Sequence, residues 1–86
     1  MAGYSIFFKI SAQKELESIP RRDLQRIMER IAGLADDPRP HGSEKLSGQE
    51  RYRIRQGNYR IVYSIQDHEL TVWVVKVGHR REVYRI

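Results

Sequence analysis

Between residues 51 and 65, charged and apolar side chains alternate through two short runs, Arg51-Tyr52-Arg53-Ile54-Arg55 and Tyr59 to Ile65, separated by Gln56-Gly57-Asn58. Side chains two apart on a strand share a face, so the pattern fits half-buried β-strands. Gly57-Asn58 supplies turn chemistry, and the two runs read as the arms of a hairpin. An isolated hairpin is marginal in water, so the rest of the chain must cover its apolar side. Leu70 to Val77 is a nearly continuous apolar run suited to a central strand, reached through the polar connection Gln66-Asp67-His68-Glu69. Gly78 is expected to break that run and begin a tail from His79 to Ile86.

The first half of the chain supplies the cover. Tyr4 to Ile10 alternates, is rich in β-formers and reads as a first strand. Ser11 is the expected N-cap of a short helix over Ala12 to Ser18, with Leu16 and Ile19 as its apolar contacts, and Pro20 opens a second helix. There Leu24, Ile27, Met28, Ile31 and Leu34 fall at helical spacing, with Arg21, Arg22, Arg26, Glu29 and Arg30 on other faces. Asp37 precedes Pro38 and is biased away from helical dihedrals, which ends the helix near Ala35. Asp36 to Glu50 reads as a connecting loop with Leu46 as its anchor. The fold class expected is α+β, an antiparallel sheet in β-α-α-β-β-β order with two helices packed on one face. The 86 residues hold a single domain, 1–86.

Helices on one face leave the other for function. Tyr52, Ile54, Tyr59, Ile61, Tyr63 and Ile65 turn toward the helices, which sends Arg53, Arg55 and Arg60 to the opposite side, with Arg51 in the same alternation. Lys76 joins them from the last strand, and the tail carries Arg80, Arg81 and Tyr84 back over the same region. No acid is interspersed among Arg53, Arg55 and Arg60 on this face, and like charges facing each other across strands are unfavourable unless something uses them. The net charge of +5 is local: residues 51–86 carry eight Lys/Arg against three Asp/Glu, whereas residues 1–50 carry eight of each. Arginine supplies twelve of the sixteen cations, and its planar fork suits phosphate. A polyanionic partner follows, with Arg51, Lys76 and Arg81 as RNA-contacting residues.

Other classes fall away. Without cysteine there is neither a disulfide framework nor a thiolate metal site. The apolar runs Ile6 to Phe8 and Val72 to Val75 are far below the roughly 18 residues of a membrane span, and no signal-peptide pattern opens the chain, so a soluble cytoplasmic protein is expected. P-loop, paired-glycine and His-Glu-x-x-His motifs are missing and His41, His68 and His79 are dispersed, so neither metal nor cofactor is expected. What the residues suit is phosphodiester chemistry, with cations for a charged phosphorane and groups to move protons from a ribose 2′-hydroxyl to the leaving oxygen. Tyr84 and His79, with reference pKa values of about 10 and about 6.5, are able to exchange protons, whereas arginine, above about 12, is a poor base.

Three stretches carry a resemblance: Tyr52-Arg53-Ile54-Arg55, Gly57-Asn58-Tyr59-Arg60-Ile61-Val62-Tyr63 and Val77-Gly78-His79-Arg80-Arg81-Glu82-Val83-Tyr84. With Lys45-Leu46-Ser47-Gly48, the first strand and the helical pair, the chain resembles, over nearly its whole length, the RelE branch of the RelE/ParE superfamily of toxin-antitoxin toxins. The resemblance implies a sheet carrying two helices and an mRNA interferase, a ribosome-dependent endoribonuclease that cleaves mRNA in the A site through the 2′-hydroxyl without metal. It implies a cognate antitoxin, the ribosome and mRNA as partners. It places Arg53 and Arg55 at basic positions that contact and activate the RNA, Arg60 and Arg80 on the scissile phosphate, and Tyr84 against the substrate. Arg53 and Arg55 stand where related toxins carry lysines, one of them the proposed base. The base is thus left open between an unusually placed arginine, His79, the ribosome, or strands that only stabilise charge. Two other readings stay open, a ParE-like inhibitor of DNA gyrase and a non-catalytic RNA-binding module.

Overall fold

The hairpin forms where the alternation puts it. In the computed structural model, which describes residues 3–48 and 50–80, its arms are Arg51–Gln56 and Tyr59–Gln66. Gly57 takes a left-handed φ of 59° at the turn, which a Cβ-bearing residue adopts only with strain. In chain order the elements are β1 (Ser5–Phe8), α1 (Ile10–Glu17), α2 (Arg21–Ala32), a 3₁₀ turn (Gly33–Ala35), β2 (Glu44–Lys45), β3 (Arg51–Gln56), β4 (Tyr59–Gln66), a second 3₁₀ turn (Asp67–Glu69) and β5 (Thr71–His79). The sheet has five strands in the order β1-β5-β4-β3-β2.

The α+β class and the two-helix cover hold, and four details differ from the sequence expectation. β1 joins the sheet parallel to β5, Ser5 opposite Thr71 through Phe8 opposite Val74, while the other pairings are antiparallel. The stretch from residue 9 to residue 70 that separates β1 from β5 is far longer than the roughly dozen residues a parallel pairing needs. Within the expected loop, Glu44 and Lys45 form a short edge strand on Arg53 and Tyr52. Ser11 is not the N-cap: Lys9 holds that position, and its N–H is still bonded to the Val74 carbonyl at 2.9 Å, so strand passes directly into helix. Gly78 does not end β5, which runs through it to His79, because Gly78 is paired with Arg60 on the long partner strand. Pairing on that partner outweighs the weak intrinsic strand preference of glycine.

The core lies between the helices and one sheet face. Ala12 of α1, Ile19, Ile27 and Ile31 of α2 and Leu34 meet Ile54, Ile61, Tyr63, Val72, Val74 and Val77. Ile61 is fully buried, and truncating it to alanine costs about 2–5 kcal/mol. Two polar fastenings hold the loop after α2 against the sheet. The buried Tyr63 hydroxyl donates to the Pro38 carbonyl at 2.7 Å. Arg39 forks onto Asp67 at 2.9 and 3.2 Å and donates to the Tyr52 hydroxyl at 3.1 Å, while the Tyr4 hydroxyl donates to Asp67 at 2.8 Å. The loop fastened in this way delivers β2 to the edge of β3, beside the arginines. No helix among the described residues is long and apolar enough to cross a membrane.

Candidate nucleic-acid interface

The strand register fixes the arginines. Arg55 lies opposite Arg60, Arg53 opposite Val62, and Arg51 opposite Ser64, so Arg51, Arg53, Arg55 and Arg60 share the face turned away from the helices. Because β2 pairs only with Tyr52 and Arg53, the edge of β3 is open from Ile54 onward. There a cavity of about 420 Å³ is lined by Arg53, Arg55 and Arg60 together with Arg30 of α2, Gly42, Ser43, Glu44 and the edge of Ile54.

Arg60 is the unusual member. It is only 8% exposed, and among the described residues its guanidinium makes one long hydrogen bond, 3.4 Å to the Tyr59 carbonyl. Burial first, then the charges of Arg55, Arg53 and Arg80, push its pKa below the ordinary value, with Glu44 opposing them. A guanidinium has five N–H donors, so one that makes a single long bond among the described residues and lines a cavity has donors to offer an anion there. Arg80 belongs to the same group by charge, and its backbone N–H is tied to the Asn58 carbonyl at 2.8 Å.

The sequence reading left the arginine face free of acid, and Glu44 corrects it. Its strand places it opposite Arg53, which donates to it at 2.8 Å. That hydrogen bond, then the Arg53 charge, with Arg55 and Arg60 adding, hold the Glu44 carboxyl below the usual carboxylate range. It is ionised at neutral pH, and its second oxygen has no hydrogen-bond partner among the described residues. Arg30 was also missed, because at the end of α2 it reads as an ordinary last-turn cation. The alternation that exposed the strand arginines carries no signal for either residue.

The remaining expected residues divide. Lys76 lies opposite Val62 in the row of Arg53, yet its ammonium is taken by Glu15 of α1 at 2.7 Å. His79 lies opposite Tyr59, whose ring it meets edge-on at 5.9 Å. Tyr59 and His79 line a second cavity of about 190 Å³ with Glu15, Ser18, Ile19, Val77 and Gly78, whereas Arg60 lines the first. Arg81 and Tyr84 lie outside the described residues.

The family profile described as "ParE toxin of type II toxin-antitoxin system, parDE" matches residues 6–84. Toxin RelG of Mycobacterium tuberculosis is 33% identical over 86 residues, 95% of this chain and 97% of that protein. The mRNA interferase toxin RelE of Escherichia coli K12 is 27% identical, over 95% of this chain and 90% of that protein. Among solved structures, the RelBE2 toxin-antitoxin complex of M. tuberculosis superposes with a TM-score of 0.81 at 30% identity, covering 91% of this chain and 99% of that one. The archaeal RelE-RelB complex of Pyrococcus horikoshii gives 0.82 at 28% identity, covering 93% and 97%.

Proposed function

Starting from the premise that the chain belongs to the ParE toxin family of type II toxin-antitoxin systems, we propose that it is a ribosome-dependent mRNA endoribonuclease acting in the A site. The observation that carries this reading is the buried, anion-ready Arg60 inside a ring of arginines. The names of the relatives, RelE mRNA interferases among them, support the same activity.

The chemistry is a transfer within the RNA. The 2′-oxygen attacks the adjacent phosphorus, the bond to the 5′-oxygen breaks, and the products are a 2′,3′-cyclic phosphate and a 5′-hydroxyl. Arg60 and Arg80 hold the scissile phosphate, and Arg53 and Arg55 neutralise the charge that grows on its oxygens, taking the part a metal ion plays elsewhere. Glu44 accepts the 2′-hydroxyl proton. Its lowered pKa makes it a weak base that is fully ionised, and surrounding guanidinium groups acidify the attacking hydroxyl. Tyr84 is assigned to the far side of the substrate, stacking on a base or protonating the leaving oxygen. The activity belongs to one domain in the cytoplasm. A cognate antitoxin silences it by covering the basic face with acidic residues, a complementarity that also speeds capture.

Purified protein incubated with mRNA on programmed ribosomes, in the Mg²⁺ buffer the ribosomes themselves need, should cut it, and Arg60→Ala and Arg80→Ala should each lower the rate by about 10²–10³. Intact mRNA with the wild-type protein would sink the proposal. The gyrase reading has no use for the arginine cavity and predicts loss of DNA supercoiling instead.

A further inference from the structure

The arginine cavity occupies one end of the open sheet face, and the other end is aromatic. In one row across four strands the register places Arg51, Ser64, Trp73 and Phe7 side by side. The Phe7 and Trp73 rings are stacked, 5.1 Å between centroids at 29°, and Phe7 is 45% exposed. The Lys9 ammonium lies 5.1 Å from the Trp73 ring. Arg60 and Ser64 are four residues apart on β4, so this row is about 13 Å from the row of Arg55 and Arg60. A single strand crosses that distance well within the roughly 4–16 nucleotides such a binding face occupies.

The surroundings of the rings decide what fits them. An apolar side chain by itself would cover the rings but strip water from Lys9 and Arg51 unless an acid came with it. An unpaired base matches every feature, its π-face on the aromatic pair and its flanking phosphates on the two cations. We infer that Phe7 and Trp73 form a base-stacking subsite for single-stranded RNA, on the same sheet face as the arginine cavity, with Lys9 and Arg51 receiving the flanking phosphates. The inference rests on the proposal that the arginine face binds RNA.

Trp73 is the only tryptophan, so its fluorescence reports on this subsite alone. The probe is a dye-labelled 2′-O-methyl decaadenylate, which has no 2′-hydroxyl to attack, with a decamer of abasic sugar-phosphate as its charge-matched control. Both are titrated at low salt, and dye anisotropy records binding independently. The adenylate should quench Trp73 with the midpoint seen by anisotropy, and the abasic decamer should bind without quenching. Phe7→Ala should weaken adenylate binding roughly 5- to 150-fold and leave abasic binding unchanged. Phe7→Leu keeps the apolar contact and removes the π-face, so it should show the same selective loss in a chain that folds. Adenylate bound with Trp73 unquenched, or both Phe7 variants losing neither probe or both equally, overturns the subsite and leaves the arginine cavity standing. No binding of either decamer at low salt overturns it too, and ribosomal cleavage by the wild-type protein then decides the ribonuclease reading separately.

Discussion

Replacing Arg60 with methionine should make this protein more stable and useless. Arg60 is 8% exposed, holds one 3.4 Å hydrogen bond, and sits among the charges of Arg53, Arg55 and Arg80. Holding this charge against partial burial and three like charges costs about 1–3 kcal/mol, and an apolar isostere removes the cost while keeping the stem's packing. In a domain of this size each kcal/mol moves the melting midpoint by about 4–8 °C, so Arg60→Met should melt several degrees higher in phosphate-free buffer. Inorganic phosphate then discriminates. An anion bound only by the folded state stabilises it by about 2.7 kcal/mol at a hundred times its Kd, so the wild-type midpoint should climb with phosphate and overtake a variant that does not respond. Circular dichroism melts against phosphate, with chloride at matched ionic strength as control, carry the test. A variant that melts lower than wild type without phosphate, or that follows phosphate equally, would refute the account of Arg60 as a cation held ready for a missing anion.

Three further outcomes are expected. Glu44→Gln retains an oxygen for Arg53 but accepts no proton, so single-turnover cleavage of ribosome-bound mRNA should slow by about 10²–10⁴ with little change in KM. Hydrogen bonds from Arg39, then Tyr4, hold the Asp67 carboxyl at about 2, below its ordinary 3.8. Its contribution to stability is therefore complete above a pH of about 4 and lost as pH falls toward 2, and Asp67→Asn should flatten that part of a urea-midpoint profile. Leu70 is half-exposed with a left-handed φ of 49°, a conformation that costs a Cβ-bearing residue about 1–2 kcal/mol, so Leu70→Gly should match or exceed the wild type in chemical denaturation.

How far the sequence discloses this molecule depends on whether a feature is periodic. Tyr52 and Ile54 face the core and Arg53 and Arg55 do not because a half-buried strand permits only one register, and that constraint is written residue by residue. The apolar stripe of α2 is legible for the same reason, Ile27 and Ile31 being buried along with Leu34 in the turn that follows, although Met28 at the same spacing is 38% exposed. The parallel seating of β1 against β5 is not, because its partner lies more than sixty residues away and nothing in Ser5–Phe8 records which edge is free. Nor is the end of β5. Gly78 read alone is a breaker, and only its pairing with Arg60 keeps it in the strand.

The candidate site combines both kinds of information, which accounts for the proposed base being its hardest part to read. Arg53, Arg55 and Arg60 follow from alternation, but Glu44 reaches them on a two-residue strand too short to leave a pattern. That strand stands where it does because Arg39, Tyr63 and Asp67 fasten the preceding loop to the sheet. Loosening the fastening should therefore act on chemistry at a distance. In Tyr63→Phe the Pro38 carbonyl loses its donor, at a cost of about 1–2 kcal/mol in stability, and the loop that carries Glu44 to Arg53 gains freedom. Since Arg53, Arg55 and Arg60 ride on the β3–β4 hairpin, RNA affinity should survive while the cleavage step slows, a kcat loss without a KM loss. If Tyr63→Phe weakens RNA binding as much as cleavage, the loop and the arginine face are not separable in the way their elements imply.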